Sequence, residues 1–220
     1  VSDHLTEEEQ IAALKNWWKQ NGNSLLIGVG AALAVVFGWQ TYQNSIVQEK
    51  TQASMLYQQL VTSATQDAFT RNQEEGVSVD FAARELKEKF SGSEYALYGA
   101  LFMARELVRK NELDAALSEL DYVTANTEDA RLMHIANGRK ARILSAQGKH
   151  DEALALLNAA LEEFVPQYLE QVGDIKLKQN DTEGALAAYQ DAWNRIKDKP
   201  ETLPMLSVKL ADLGVLTDAE

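Results

Sequence analysis

The chain has 220 residues, with 21 Lys and Arg against 33 Asp and Glu for a net charge of −12, no cysteine and 3 prolines; this is enough for one ordinary domain and an appendage. Without cysteine there is no disulfide framework, thiolate zinc site, thiol redox couple or cysteine nucleophile. A sequence pI near 4.8 separates it from proteins that neutralise phosphate backbones with Lys and Arg, so nucleic acid is not an expected partner.

The first 23 residues read as a short acidic lead. Glu7, Glu8 and Glu9 suit the first turn of a helix that carries Ile11, Leu14 and Trp18 on one face. Between Lys19 and Glu49 there is no charged side chain, and Leu25 to Trp39 is apolar throughout. As a helix, residues 24–42 extend about 28 Å, just short of the ~30 Å hydrocarbon core of a bilayer. A buried core helix conflicts with the missing polar stripe. A cleaved signal peptide conflicts with the acidic lead and with bulky Trp39, Gln40 and Tyr42 where small residues belong. The segment therefore reads as a transmembrane anchor, with Trp17 and Trp18 at one interface and Trp39 and Tyr42 at the other.

Lys15 and Lys19 flank the anchor on one side and only Lys50 lies near the other, which predicts a cytoplasmic N-terminus and an external body. Gly28 and Ala32, Gly30 and Ala34, and Ala34 and Gly38 stand four apart. That spacing allows a second helix to approach closely, although small residues are also common in membrane helices for no such reason.

Residues 43–220 show helical periodicity with no strand-like alternation, so the chain reads as all-α. Three segments share a pattern: Asn111 to Leu117, Gly148 to Leu154 and Asn180 to Leu186. Each begins with a residue tolerant of left-handed geometry, continues with polar residues suited to capping, and opens a helix with Ala-Leu. Ala116, Ala153 and Ala185 stand 37 and 32 residues apart, bracketing the 34-residue period of tetratricopeptide repeats. Ala104, Ala141 and Gly173 then fall where the first helices must cross closely. Leu120, Leu157 and Tyr189, followed by Val123, Ala160 and Ala192, fall on the inward stripe of the second helices. The first-helix Trp of the repeat is missing and its terminal Pro is present only as a displaced Pro166.

The ends of this array need atypical caps. Lys50 to Gln66 continues from the anchor with Met55, Leu56, Leu60 and Val61 on one face. Asn72 to Gly76 reads as a polar turn, Phe81 to Phe90 as a short charged helix, and Met205 to Leu213 as a closing helix after Pro200 and Pro204.

Catalytic chemistry has no foothold in this pattern. His4, His134 and His150 are scattered with no zinc-ligand spacing, and neither a G-x-S-x-G nor an H-E-x-x-H motif occurs. Asp114, Asp151 and Glu183 stand at helix starts, where capping and the helix dipole account for them. No catalytic residue, metal or cofactor is expected. One group stands out. In a tetratricopeptide array the first helix of each unit lines the concave face, and alignment on the three alanines places Arg105 and Arg142 at equivalent positions there. Tyr98, Leu101 and Arg109 lie on the same helical face. Arginine suits bidentate recognition of carboxylates; pairing with a neighbouring acid such as Glu106 is the competing arrangement.

The order of these parts resembles a known family. The acidic lead, the Leu14-Lys-Asn-Trp-Trp-Lys-Gln-Asn-Gly-Asn23 approach, the Gly-rich anchor closing on Gly38-Trp39 and Tyr42, and the repeat body are similar to the bacterial ancillary subunit of the Sec translocon over essentially the whole chain. The resemblance implies an inner-membrane protein with a periplasmic tetratricopeptide-like domain. It implies as partners the SecYEG channel, a membrane-anchored periplasmic chaperone of the prolyl isomerase type, and translocating polypeptides, with no catalytic residues. A tethered scaffold for another envelope complex, in division or secretion, would use the same anchor and array.

Overall fold

The computed structural model describes residues 7–70, 73–158, 161–199 and 203–216. Among them the ordered elements are all helical: α1 (Glu7–Thr70), α2 (Gln73–Lys89), α3 (Glu94–Arg109), α4 (Leu113–Asn126), α5 (Ala130–Ala146), α6 (His150–Leu156), a 3-10 turn (Glu162–Phe164), α7 (Val165–Lys178), α8 (Thr182–Ile196) and α9 (Leu206–Asp212). The chain divides into two compact units, residues 1–52 and 53–220.

The first unit is the N-terminal part of α1. Leu25, Leu26, Ile27, Val29, Leu33, Val35, Val36, Phe37 and Trp39 are all exposed on it, an arrangement that water disfavours and lipid does not. Among the described residues this is the one helix long and apolar enough to cross a membrane. Trp18 lies over Gly22, where an added Cβ would stand 3.1 Å from the indole. Asn21 ties its side chain back to the Trp17 carbonyl at 3.1 Å.

The second unit begins with the last turns of α1, where Ala53, Leu60 and Ala64 are buried and Leu56, Tyr57 and Val61 are half-buried. Their spacing of three and four residues is that of one helical face. Met55 is exposed instead of sharing it, because it lies about 100° round the helix from Leu56. The turn expected from Asn72 to Gly76 is also corrected. Residues 73–76 belong to α2, which is 17 residues long, and Asn72 lies outside the described residues. Gln and Glu are good helix formers, and a single interior Gly costs only about 1 kcal/mol, which the rest of the helix offsets. Buried Val79, Ala82, Ala83 and Leu86 pack α2 onto α3.

The three repeats follow as the helix pairs α3/α4, α5/α6 and α7/α8. Asn111 (φ 61°), Gly148 (φ 79°) and Asn180 (φ 61°) take the left-handed conformation between the helices of each pair, the geometry that Gly and Asn adopt at least cost. The capping expectation holds only in the last unit. There Asp181 accepts from Gly184 N at 2.9 Å, while Glu112 and Lys149, at the corresponding positions, form no side-chain cap. A Glu side chain is long for that loop, and Lys carries no acceptor. Ala104, Ala141, Leu120, Leu157, Tyr189, Val123 and Ala192 are buried as the pattern requires; Ala160 lies outside the described residues. The second helix of the middle unit, α6, is only 7 residues long. His134 ties α5 to Leu161, just before the 3-10 turn. Its Nδ1 donates to the Ala130 carbonyl at 2.6 Å, and its Nε2 accepts from Leu161 N at 2.8 Å. At the far end α9 buries Leu206 and Leu210 against α8.

Candidate functional site

The helices α3, α5 and α7 share a face, and the repeat register puts Arg105, Arg142 and Asp174 at one equivalent position and Phe102, Arg139 and Gln171 at another. Arg105 and Arg142 do meet. With Arg139 they border a groove of about 330 Å³ whose apolar wall is Val108, Leu120 and Ile143.

Each arginine is held differently. Arg105 donates from Nε and from Nη2 to Glu106 Oε1, both at 3.2 Å, and from Nη2 to the Ala64 carbonyl at 3.4 Å. Its guanidinium also stacks on Phe102, 5.2 Å from the ring centroid. Arg139 donates to the Leu101 carbonyl at 3.1 Å. Burial, and then the like charges of Arg105 and Arg142, hold its guanidinium below the ordinary value for arginine. Arg142 is exposed on the groove and makes no hydrogen bond or ion pair among the described residues.

The other expected residues divide. Arg109 joins the group through Glu106, a carboxylate only 3% exposed whose Oε2 lies 3.6 Å from Arg109 Nη1. Leu101 does not reach the surface: at 6% exposure it is part of the core with Leu120, Ala136 and Ile143. The i, i+4 relation to Arg105 placed it on the right helical face, but that end of the face is covered by α5. Tyr98 lies apart, on a separate cavity of about 260 Å³ beside Leu97, Asn126, Asp129 and Leu132, 5.7 Å from the Tyr57 ring. Burial first, then the charge of Glu94, pushes its phenol pKa up.

Arg142 also borders a second groove, of about 340 Å³, lined by Ser145, Gln171, Asp174, Leu177 and Lys178. The sequence marks neither this groove nor Arg139: spacing puts Arg139 one helical turn before Arg142, but no arginine stands at its position in the other two repeats. Lys178 donates to Ser145 Oγ at 3.2 Å. Asp174, the one acid on the repeat ladder, accepts from Lys209 Nζ at 2.7 Å and 2.9 Å and from the Tyr189 hydroxyl at 2.7 Å. No cluster of His, Asp and Glu among the described residues is arranged to hold a metal ion.

An anchor-length apolar helix followed by three stacked helix pairs with a basic inner face defines a membrane-tethered tetratricopeptide protein of the kind that binds other proteins. The chain belongs to the tetratricopeptide repeat-like domain family, whose model matches residues 15–215. It is 28% identical over 213 residues to the ancillary SecYEG translocon subunit of Escherichia coli, covering 95% of this chain and 97% of that protein. The protein of the same name from Haemophilus influenzae is 28% identical over 191 residues, covering 86% and 89%. That from Neisseria gonorrhoeae is 25% identical over 214 residues, covering 97% and 100%.

Proposed function

We propose that the chain is a single-pass inner-membrane protein of the Sec translocon that acts as a protein-interaction module beside the channel. The observation that carries this reading is the whole-length similarity to ancillary SecYEG translocon subunits, anchor and repeats together. Residues 1–23 form the cytoplasmic lead, 24–42 span the bilayer and 43–220 lie in the periplasm, the orientation favoured by Lys15 and Lys19. In that place the repeat domain links a membrane-anchored prolyl isomerase-type chaperone and newly translocated polypeptides, with Arg105, Arg109 and Arg142 as contacts. The stripe Gly28, Gly30, Ala32, Ala34 and Gly38 packs against a neighbouring membrane helix.

The test is affinity purification of the tagged full-length chain from native membranes after crosslinking, read by mass spectrometry. SecYEG and an isomerase-type chaperone are the expected partners. Recovery of a division or secretion assembly without SecYEG would overturn the reading in favour of a scaffold for that complex.

A further inference from the structure

Helix α1 carries one apolar row that lipid alone does not cover. Counted in sevens, Ile11, Trp18, Leu25, Ala32, Trp39 and Ile46 stand on this row, and none of them is polar. Leu14, Asn21, Gly28, Val35 and Tyr42 stand three places after the first five, which completes the a and d seam of a coiled coil. The remaining five rows are each interrupted, by Lys15, Asn16, Lys19, Gln20 or Ser24. Within residues 24–42 every face is apolar enough for lipid, so a seven-residue repeat there decides nothing by itself. The seam continues outside that span. Ile11 and Leu14 are 54% and 67% exposed, and α1 is unbroken from Glu7, so Ile11 lies about 20 Å beyond Ser24 along the helix axis. Water does not suit these side chains and the bilayer does not reach them; a second helix running alongside does both.

Local geometry prepares this face. Trp18 folds over Gly22, where a Cβ would stand 3.1 Å from the indole, so the ring lies against its own helix instead of standing out from it. Two such rings at one level then leave room for the helices to approach. Asn21 donates one amide hydrogen to the Trp17 carbonyl at 3.1 Å, and its exposed amide retains a second N–H and a carbonyl oxygen. An amide in an apolar seam fixes the register, because two copies bond each other only when aligned.

We propose that α1 pairs with α1 of a second copy of this chain, in a parallel left-handed coil that begins at Ile11, crosses the bilayer on Gly28 and Ala32, and closes on Trp39, Tyr42 and Ile46. Rows that recur every seven residues wind in that hand. The pairing rests on the reading of residues 24–42 as the membrane span. Two copies share one orientation there, so each seam meets its own complement at every height. In the pair, six rings from Trp18, Trp39 and Tyr42, each about half exposed with roughly 100 Å² to cover, join eight aliphatic side chains from Ile11, Leu14, Leu25 and Val35. Together they come to about the 1,200 Å² that a stable interface buries. Gly30 and Ala34 fall on other rows and remain open to a different membrane helix.

The chain holds no cysteine, so single cysteines in the full-length chain report the pairing in native membranes. Ile11→Cys, Leu14→Cys and Val35→Cys, oxidised with copper phenanthroline, are expected to give a band at twice the chain's 24.4 kDa. Asn16→Cys, Gly30→Cys and Phe37→Cys, on the row opposite the seam, are expected to give about tenfold less. Adding Gly22→Leu should lower the Leu14→Cys yield several-fold by lifting Trp18, whereas adding Ala34→Leu should leave it unchanged. Equal yields on both rows, or crosslinks from the seam only to a chain of another mass, would overturn the pairing. Membranes in which the chain co-purifies with SecYEG but gives no seam crosslink reject the pairing and leave the proposed function standing. Seam crosslinks without SecYEG do the reverse, and a chain that washes out of the membrane in carbonate overturns both.

Discussion

Gly173 on α7 lies directly beneath the ring of Tyr189 on α8, so closely that a Cβ at 173 would overlap the Cε1 and Cδ1 atoms. In the first two repeats the same pair of positions is Ala104 with Leu120 and Ala141 with Leu157. The third repeat has exchanged a small-and-medium pair for a none-and-large one at similar total volume, and the larger ring then carries a hydroxyl to Asp174 at 2.7 Å. Gly173→Ala is expected to destabilise by about 1–3 kcal/mol through overpacking. Adding Tyr189→Leu, which rebuilds the pairing of the other repeats, is expected to recover part of that loss in thermal melts. A double variant less stable than the sum of the two single changes would show that volume is not the link.

Tyr168 fixes the behaviour in alkali. Burial pushes its phenol up to about 12 from 10, and its hydroxyl donates to the His134 carbonyl at 2.7 Å. A raised folded-state value favours the neutral phenol, so its contribution is complete below pH 10 and is lost as pH rises from 10 to 12. The phenol of Tyr189 is raised too, first by burial and then by its bond to Asp174, and acts in the same sense. Melting temperature is expected to fall across that window, and Tyr168→Phe to flatten the fall while costing about 1 kcal/mol at neutral pH. An equally steep decline in the Phe variant would assign alkaline unfolding to other groups.

Glu106 moderates the arginine group. Replacing it by Gln keeps the size and a carbonyl acceptor while removing one negative charge next to Arg105 and Arg109. A stability loss of about 1–2 kcal/mol is expected in thermal melts. An unchanged melting temperature would mean that Glu106 does not brace Arg105 and Arg109.

Two measurements address the anchor. A reporter fused after Glu220 that works only outside the cytoplasm is expected to be active, and one that works only inside to be silent; the reverse pattern would invert the topology. Gly30→Leu or Ala34→Leu is expected to reduce recovery of membrane partners while insertion stays intact, because the added side chains hold helices apart. Unchanged recovery would remove these residues from the interface.

Much of this architecture is legible in the sequence, because helix breaks and core stripes are local signals. Asn111, Gly148 and Asn180 mark the turns since few other residues take positive φ cheaply, and the Ala-Leu starts then set the register. The face was harder to read. Spacing gives the angle of a side chain around its own helix but not which neighbour covers it, and α5 covers Leu101. Arg139 is hidden for the converse reason: it corresponds to Phe102 and Gln171 in the other repeats, so no repeated residue type marks it, and its significance arises only where two helices bring three guanidinium groups together.

The short α6 has a consequence for how the array comes apart. With 7 residues against 14 in α4 and 15 in α8, the middle unit offers its neighbour less helical surface, and in a linear array each interface carries its own share of cooperativity. The rings of His134, Phe164 and Tyr168 stack there and His134 accepts from Leu161 N, so a few contacts do the work of about two missing turns. Hydrogen exchange would then divide at this seam, with α7 to α9 opening as one foldon and α3 to α5 as another. In mechanical terms, the array is a chain of links whose weakest joint is in the middle.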